Sequence, residues 1–373
     1  MTEWETGTSS WREWSEKRSK TVPRVAAAPN QRRPIPSLRA RRWDCSGNGR
    51  NGVAMAKTLQ ATRIGTKAET LLRRPSRQWE VLAAVSGAVY ITDENGELLW
   101  ITDRASALHT RAILLPAMPL HVPQPGSTAE SDSRLLRCGH FALGWRHAGH
   151  WAPARFTDAH AIGASGLGEA IEAIERALLE VPDRESARDR RASTPLERRL
   201  AEAAGRLRRV STERGVLDGL RAVSGIVGLG EGLTPQGDDF LGGYLFTLRV
   251  MDTARCLSFD IDWESVMTWL HSLERRTNAI SHCLLVDHAH GDTCAPLVAF
   301  IHGALEGEGC TRLAQLASDV AGIGASSGQS LLEGVQSACH VARAPRGIVR
   351  HLLADRGRET FGRPTRREVA RVR

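Results

Sequence analysis

The stretch Gly228-Leu229-Gly230-Glu231-Gly232-Leu233-Thr234-Pro235-Gln236-Gly237-Asp238-Asp239 constrains this chain more than any other. Glycines, a Thr-Pro step and two adjacent aspartates run directly into the apolar Phe240-Leu241-Gly242-Gly243, which predicts a tight loop feeding straight into a helix. Glycine at this density implies positive φ or a close approach of something to the backbone. The helix start that follows offers free N–H groups and the positive end of the dipole to an anion. A plain connector with an Asp cap uses the same residue types, yet it needs neither a doubled aspartate nor so many glycines. The loop lacks the Gly-Lys-Ser/Thr ending of a P-loop, and its spacing does not match the dinucleotide fingerprint.

A second turn of similar make, Gly322-Ile323-Gly324-Ala325-Ser326-Ser327-Gly328, precedes another helix-compatible run. Two such turns could present two helix N-termini to one ligand. Between them lies Arg275-Arg276-Thr277-Asn278-Ala279-Ile280-Ser281-His282, in which Thr277 and Ser281 share a helix face. Small hydroxyls there serve equally well for close helix packing.

The loop from Gly228 to Asp239 resembles the Gly-x-Gly-x-Gly-Leu-Thr-Pro-Ser-Gly-Asp-Asp signature of the oxamate carbamoyltransferase subunit AllH family. Arg276 to Ser281, Ala289 to Asp292 and Gly324 to Gly328 support the resemblance, which runs from about Lys57 to about Ala342 and is clearest in the second half. Glu231 stands where proline is common, Gln236 where serine is common, and Ala325 where a histidine often precedes the Ser-Ser-Gly turn. The resemblance implies a subunit of an enzyme that moves a carbamoyl group between oxalurate and phosphate in allantoin breakdown. Companion carbamoyltransferase subunits and a small anionic substrate are then the expected partners.

On this reading Asp238, Asp239 and Thr234 are the catalytic candidates, and Gly230, Gly232, Gly237, Thr277, Ser281, Ser326, Ser327 and Gly328 are the substrate-binding ones. The N–H groups of Gly230, Gly232 and Gly237 are expected to hold phosphate or carboxylate oxygens and to stabilise an oxyanion. The aspartates would accept hydrogen bonds from the carbamoyl NH₂. Asp238 follows Gly237 at the expected cap, so Asp239 is expected to face the ligand and Asp238 to cap the helix. Mg²⁺ held by the two carboxylates beside a phosphate is the alternative to direct hydrogen bonding. Two other functions compete with catalysis: a non-catalytic assembly subunit, and, less favoured, a nucleic-acid binder working through basic tails.

The net charge of +8 raises the nucleic-acid reading until it is located. Residues 1–54 hold eleven Lys or Arg against five Asp or Glu, with Trp4, Trp11, Trp14 and Trp43 set among prolines and no sustained period. This segment is expected to be a disordered basic extension, with Met55 as a second candidate start, and residues 346–373 a solvated basic tail. Neither a signal-peptide core nor an apolar run of membrane-spanning length is present, so a cytoplasmic location without membrane contact is expected. The seven cysteines show no CxxC spacing and read as small buried hydrophobes. His282, His288 and His290 fall close together, but two residues apart on a helix point to different faces, which argues against a zinc site.

Residues 55–160 show short apolar runs separated by turn signals, among them Asp93-Glu94-Asn95-Gly96 as a hairpin turn. From residue 165 to 345 the period becomes helical, interrupted by a charged linker from Asp183 to Thr194. Strands first and helices afterwards predict an α+β protein: a small antiparallel β-sheet or barrel followed by a mainly α-helical domain.

Overall fold

The computed structural model describes residues 57–74, 77–139, 141–153, 164–181, 194–254, 256–257 and 259–344. All of them belong to the compact unit Met55–Arg373. The expected extension at 1–54, the basic tail and almost all of the charged linker lie outside the described residues.

The chain is α+β. Ten strands come first: β1 (Lys57–Gln60), β2 (Arg63–Gly65), β3 (Arg77–Val85), β4 (Ala88–Asp93), β5 (Leu98–Thr102), β6 (Ala112–Leu114), β7 (Thr128–Ser131), β8 (Leu135–Cys138), β9 (Phe141–Gly144) and β10 (Gly149–Trp151). They form one sheet in the order β1-β9-β8-β7-β3-β4-β5-β6-β2-β10. Most neighbours are antiparallel, as expected, but β1–β9, β5–β6 and β2–β10 are parallel. The sheet curls into a half-barrel. Its two ends meet at the short link between β1 and β2, where Ala61 N–H donates to Gly144 O and Thr62 N–H donates to Leu114 O. Helix α1 (Thr66–Leu72) sends Ala68, Leu71 and Leu72 into the core that the curl encloses, together with Val89, Ile91, Leu99, Ile101 and Leu143.

The expected hairpin turn joins β4 to β5. Asp93 Oδ1 accepts the N–H groups of Asn95 and Glu97, both at 2.9 Å, which is how an aspartate closes a turn on its own backbone. A second turn, at Ser86-Gly87, joins β3 to β4. Apolar residues flank it on both sides and hide it in the sequence.

Nine helices follow among the described residues: α2 (Ala164–Glu180), α3 (Pro195–Arg214), α4 (Val216–Ala222), α5 (Gln236–Thr253), α6 (Trp263–Ser272), α7 (Ala279–His290), α8 (Ala295–Leu305), α9 (Cys310–Ala321) and α10 (Ser327–Ala342). Thr194 opens α3 with a full capping box, its hydroxyl accepting from Glu197 N–H and the Glu197 carboxylate accepting from Thr194 N–H. Helix α5 is apolar nearly all round and is buried along most of its length, as a central helix must be. None of the described helices is long and apolar enough to cross a membrane. Cys138, Cys256 and Cys339 are buried as expected, whereas Cys310 is exposed at the start of α9, where no neighbouring element covers it.

The crossing of α5 and α10 fixes the two glycine-rich turns relative to each other. A Cβ on Gly243 would sit 2.0 Å from Leu331 O, and one on Gly334 would sit 2.1 Å from Phe240 O, so the helices touch backbone to backbone. Gly334→Ala should therefore destabilise the protein by about 2 kcal/mol or more, although alanine is the better helix former. Denaturant unfolding checks it; an unchanged midpoint would contradict the close crossing.

Candidate functional site

Gly228 opens the first loop with φ +75, and a Cβ there would lie 2.2 Å from Arg276 O. The loop can thus press against the segment that leads into α7. Its N–H donates to Asp238 Oδ1 at 2.8 Å. Thr277 Oγ1 and Ser281 Oγ donate to Asp238 Oδ2 at 2.5 and 2.7 Å. Asp238 is only 2 % exposed. Its buried carboxylate therefore has three donors, and it ties the loop, the α5 start and the α7 start into one unit. Asn278 adds to this clamp: its side chain caps α7 through Ser281 N–H and donates to Leu233 O at 2.9 Å.

This corrects part of the expected helix start. Pro235, not Asp238, is the N-cap of α5, and no side chain caps it. Asp238 lies within the first turn and captures a loop N–H rather than one of its own helix. Thr277 lies in extended backbone before α7, so the expected common helix face is not formed, yet its hydroxyl and that of Ser281 both reach Asp238.

Asp239 points elsewhere. It is 9 % exposed, and its Oδ2 has no hydrogen-bond partner. Burial pushes its pKa up to about 7, and the Asp238 charge adds to this, while hydrogen bonds from Ser327 and Thr234 pull the other way. Thr234 Oγ1 and Ser327 Oγ lie 2.9 Å apart, so the two glycine-rich turns meet at this carboxyl. A buried carboxyl with one unsatisfied oxygen is costly unless something else engages it.

The expected backbone donors divide into two groups. Gly237 N–H is taken by Leu229 O at 2.9 Å and Gly328 N–H by Ile323 O at 3.0 Å, so neither is open to an anion. Both glycines serve packing instead, since a Cβ would lie 2.0 Å from Ile226 O or 1.9 Å from Val320 O. Among the described residues, no protein acceptor takes the N–H of Gly230 or Gly232. Ser326 is the N-cap of α10 without a side-chain cap bond.

Three donors engage Asp238, which leaves Asp239 as the carboxylate of the pair with an open oxygen. Of the three clustered histidines, His290 is exposed and the other two are engaged by neighbouring groups. His282 Nε2 meets Leu270 O at 3.0 Å, and His288 meets Leu284 O and Thr293 Oγ1 at 2.5 and 3.0 Å. Among the described residues no cluster of three or more His, Cys, Asp or Glu side chains could hold a metal ion.

Two features had no local signal. Tyr90 and Cys294 lie near enough to Asp239 for its charge to act on both. Farther along α7, Asp287 is buried and pairs with Arg111 through Nε at 2.6 Å and Nη2 at 3.1 Å, and with Lys67 at 3.1 Å. Burial would push the Asp287 carboxyl up, but these partners and His109 outweigh it and hold it at about 2. This network locks the sheet to the helices.

No curated protein and no solved structure matches this chain. Residues 226–339, which carry the clamp, Asp239 and both glycine-rich turns, match the family model of the oxamate carbamoyltransferase subunit AllH, in agreement with the resemblance read from the loop.

Proposed function

We propose that this chain is the ligand-binding subunit of a cytoplasmic carbamoyltransferase that exchanges a carbamoyl group between oxalurate and phosphate during allantoin breakdown. The observation that carries this reading is Asp239, a buried carboxyl with an unpartnered oxygen where two glycine-rich turns meet. The match to a carbamoyltransferase subunit supports the reaction class and the need for companion subunits.

The chemistry follows from the groups that remain open. A phosphate oxygen attacks the carbamoyl carbon of oxalurate, the C–N bond to the oxamate nitrogen breaks, and that nitrogen takes a proton. The N–H groups of Gly230 and Gly232 hold anionic oxygens on this reading, while Asp238 stiffens the loop that carries them. An Asp239 carboxyl near pKa 7 accepts from the carbamoyl NH₂ when ionised and supplies the proton to the departing nitrogen when neutral. Thr234 and Ser327 set its orientation.

Phosphate or carbamoyl phosphate should raise the melting temperature of the assembled complex, with a stabilisation of about 2.7 kcal/mol at a hundredfold excess over Kd. Differential scanning fluorimetry with and without Mg²⁺ measures it. No shift for either anion would favour a non-catalytic assembly subunit.

A further inference from the structure

The curled sheet supplies a second wall to this site. Alternation along β4 and β5 sends Val89, Ile91, Leu99 and Ile101 into the curl. Tyr90, Leu98 and Trp100 project to the opposite face, where they pack with Leu233 of the glycine loop, Ile280 and Leu284 of α7, and Ala295 of α8. The rings of Tyr90 and Trp100 lie 5.8 Å apart.

Arg104 stands at the end of this wall, hydrogen-bonded to neutral groups, with the Asp103 carboxylate bordering the same space above Gly87. Thr102 Oγ1 donates to Gly87 O at 2.7 Å and accepts Arg104 N–H at 3.1 Å, which joins the β3–β4 turn to the end of β5. The guanidinium fills the space above Gly87, where a Cβ would lie 2.5 Å from Nε, and Nη2 donates to Ser86 Oγ at 3.4 Å. Among the described residues no carboxylate oxygen lies within ion-pair distance of Arg104, unlike Arg73, Arg77 and Arg111. The short helical turn Ala105–Ala107 that follows Arg104 packs on α8, and Leu108 O takes the Ala295 N–H at 2.8 Å. The α8 start, which this turn reaches through Leu108, is the end at which Cys294 feels Asp239. Burial pushes the Tyr90 phenol up, with Arg104 opposing and Asp239 reinforcing, so both charges act on one hydroxyl.

We propose that Arg104 and the Tyr90 hydroxyl form a carboxylate subsite across from Asp239, which selects small amides and ureides bearing a carboxylate at the end away from the transferred group. An unpaired guanidinium gives the charge and fork that a carboxylate needs, and the phenol adds one directional donor. The proposal rests on the ligand-binding reading above, and its test separates the two.

Isothermal titration of the full complex with oxamate, phosphate and the neutral ethyl ester of oxamate provides that test. Arg104→Gln should weaken oxamate binding by about tenfold or more while phosphate and the ester bind as before. Tyr90→Phe, which keeps the ring packing, should weaken oxamate by about three- to tenfold. Equal oxamate affinity in wild type and Arg104→Gln would overturn the subsite and leave the function intact, whereas a wild type that binds phosphate but not oxamate would overturn both the subsite and oxamate as the carbamoyl partner. A wild type that binds neither anion would overturn the ligand-binding reading itself. Arg104 is exposed, so an unchanged melting temperature is expected for its variant and keeps the comparison clean.

Discussion

Asp239→Asn is expected to melt higher than wild type at pH 8 and to lose carbamoyl transfer by about a hundredfold or more. Burial raises the folded-state pKa to about 7 from the ordinary carboxylate value of 3.8. Between those values the folded protein keeps a proton that the unfolded chain has released, so stability falls as pH rises from about 4 to about 7. The full penalty above pH 7 is of order 4 kcal/mol, from three pH units at about 1.36 kcal/mol each. Asparagine has the same shape and stays neutral, so its advantage should appear at pH 8 and vanish near pH 4. It cannot alternate between acceptor and proton donor, which is why activity should not survive. Urea midpoints at the two pH values, paired with transfer rates of the reconstituted complex, check both halves. An Asn variant with normal rates, or one no more stable at pH 8, would remove Asp239 from the ligand-facing role.

The second large effect concerns the lock between sheet and helices. Asp287→Ala should cost about 3–5 kcal/mol, because it leaves the Arg111 guanidinium buried with a diminished set of acceptors. Arg111 is 5 % exposed and would retain only Glu97 and Leu98 O, at 3.0 and 3.2 Å. The double variant Arg111→Met with Asp287→Leu should recover most of that loss, since it removes both charges together. Its remaining polar neighbours, Lys67 and Glu97, are about a third exposed and can turn to water. With the Asp287 carboxyl held at about 2, its stabilising share is present above about pH 4 and fades as pH falls towards 2. Unfolding curves of the singles and the double, measured at pH 7, test the coupling. Additive losses would show that the pair is not a lock.

Much of the architecture was legible because its signals are local. The hairpin at Asp93 to Gly96 was readable from turn chemistry, and α8 was readable from Pro296 near the start of an apolar run. The order of strands before helices followed from the change of hydrophobic period alone. The short β1, β2 and β10 were not legible, since three or four residues show no period and each is held by a distant or parallel partner.

By itself the sequence determined where the glycine-rich loop lies, that it opens a helix, and that Asp238 and Asp239 stand at its end. Tertiary structure decided what each of them does. Asp238 is turned inward by donors 10, 39 and 43 residues away in sequence, whereas Asp239 meets a serine from a turn 93 residues beyond Thr234. Adjacent residues on a helix differ by about 100° in direction, so which neighbour faces the core depends on what packs there. Gly237 and Gly328 looked like donors to a ligand and turned out to be spacers, because carbonyls from their own loops reach their N–H groups first. Arg111 and Asp287, 176 residues apart, carry no sign of each other in the chain. Hydrogen bonds and ion pairs are satisfied by whatever the fold brings within about 3 Å, and that distance is set by packing.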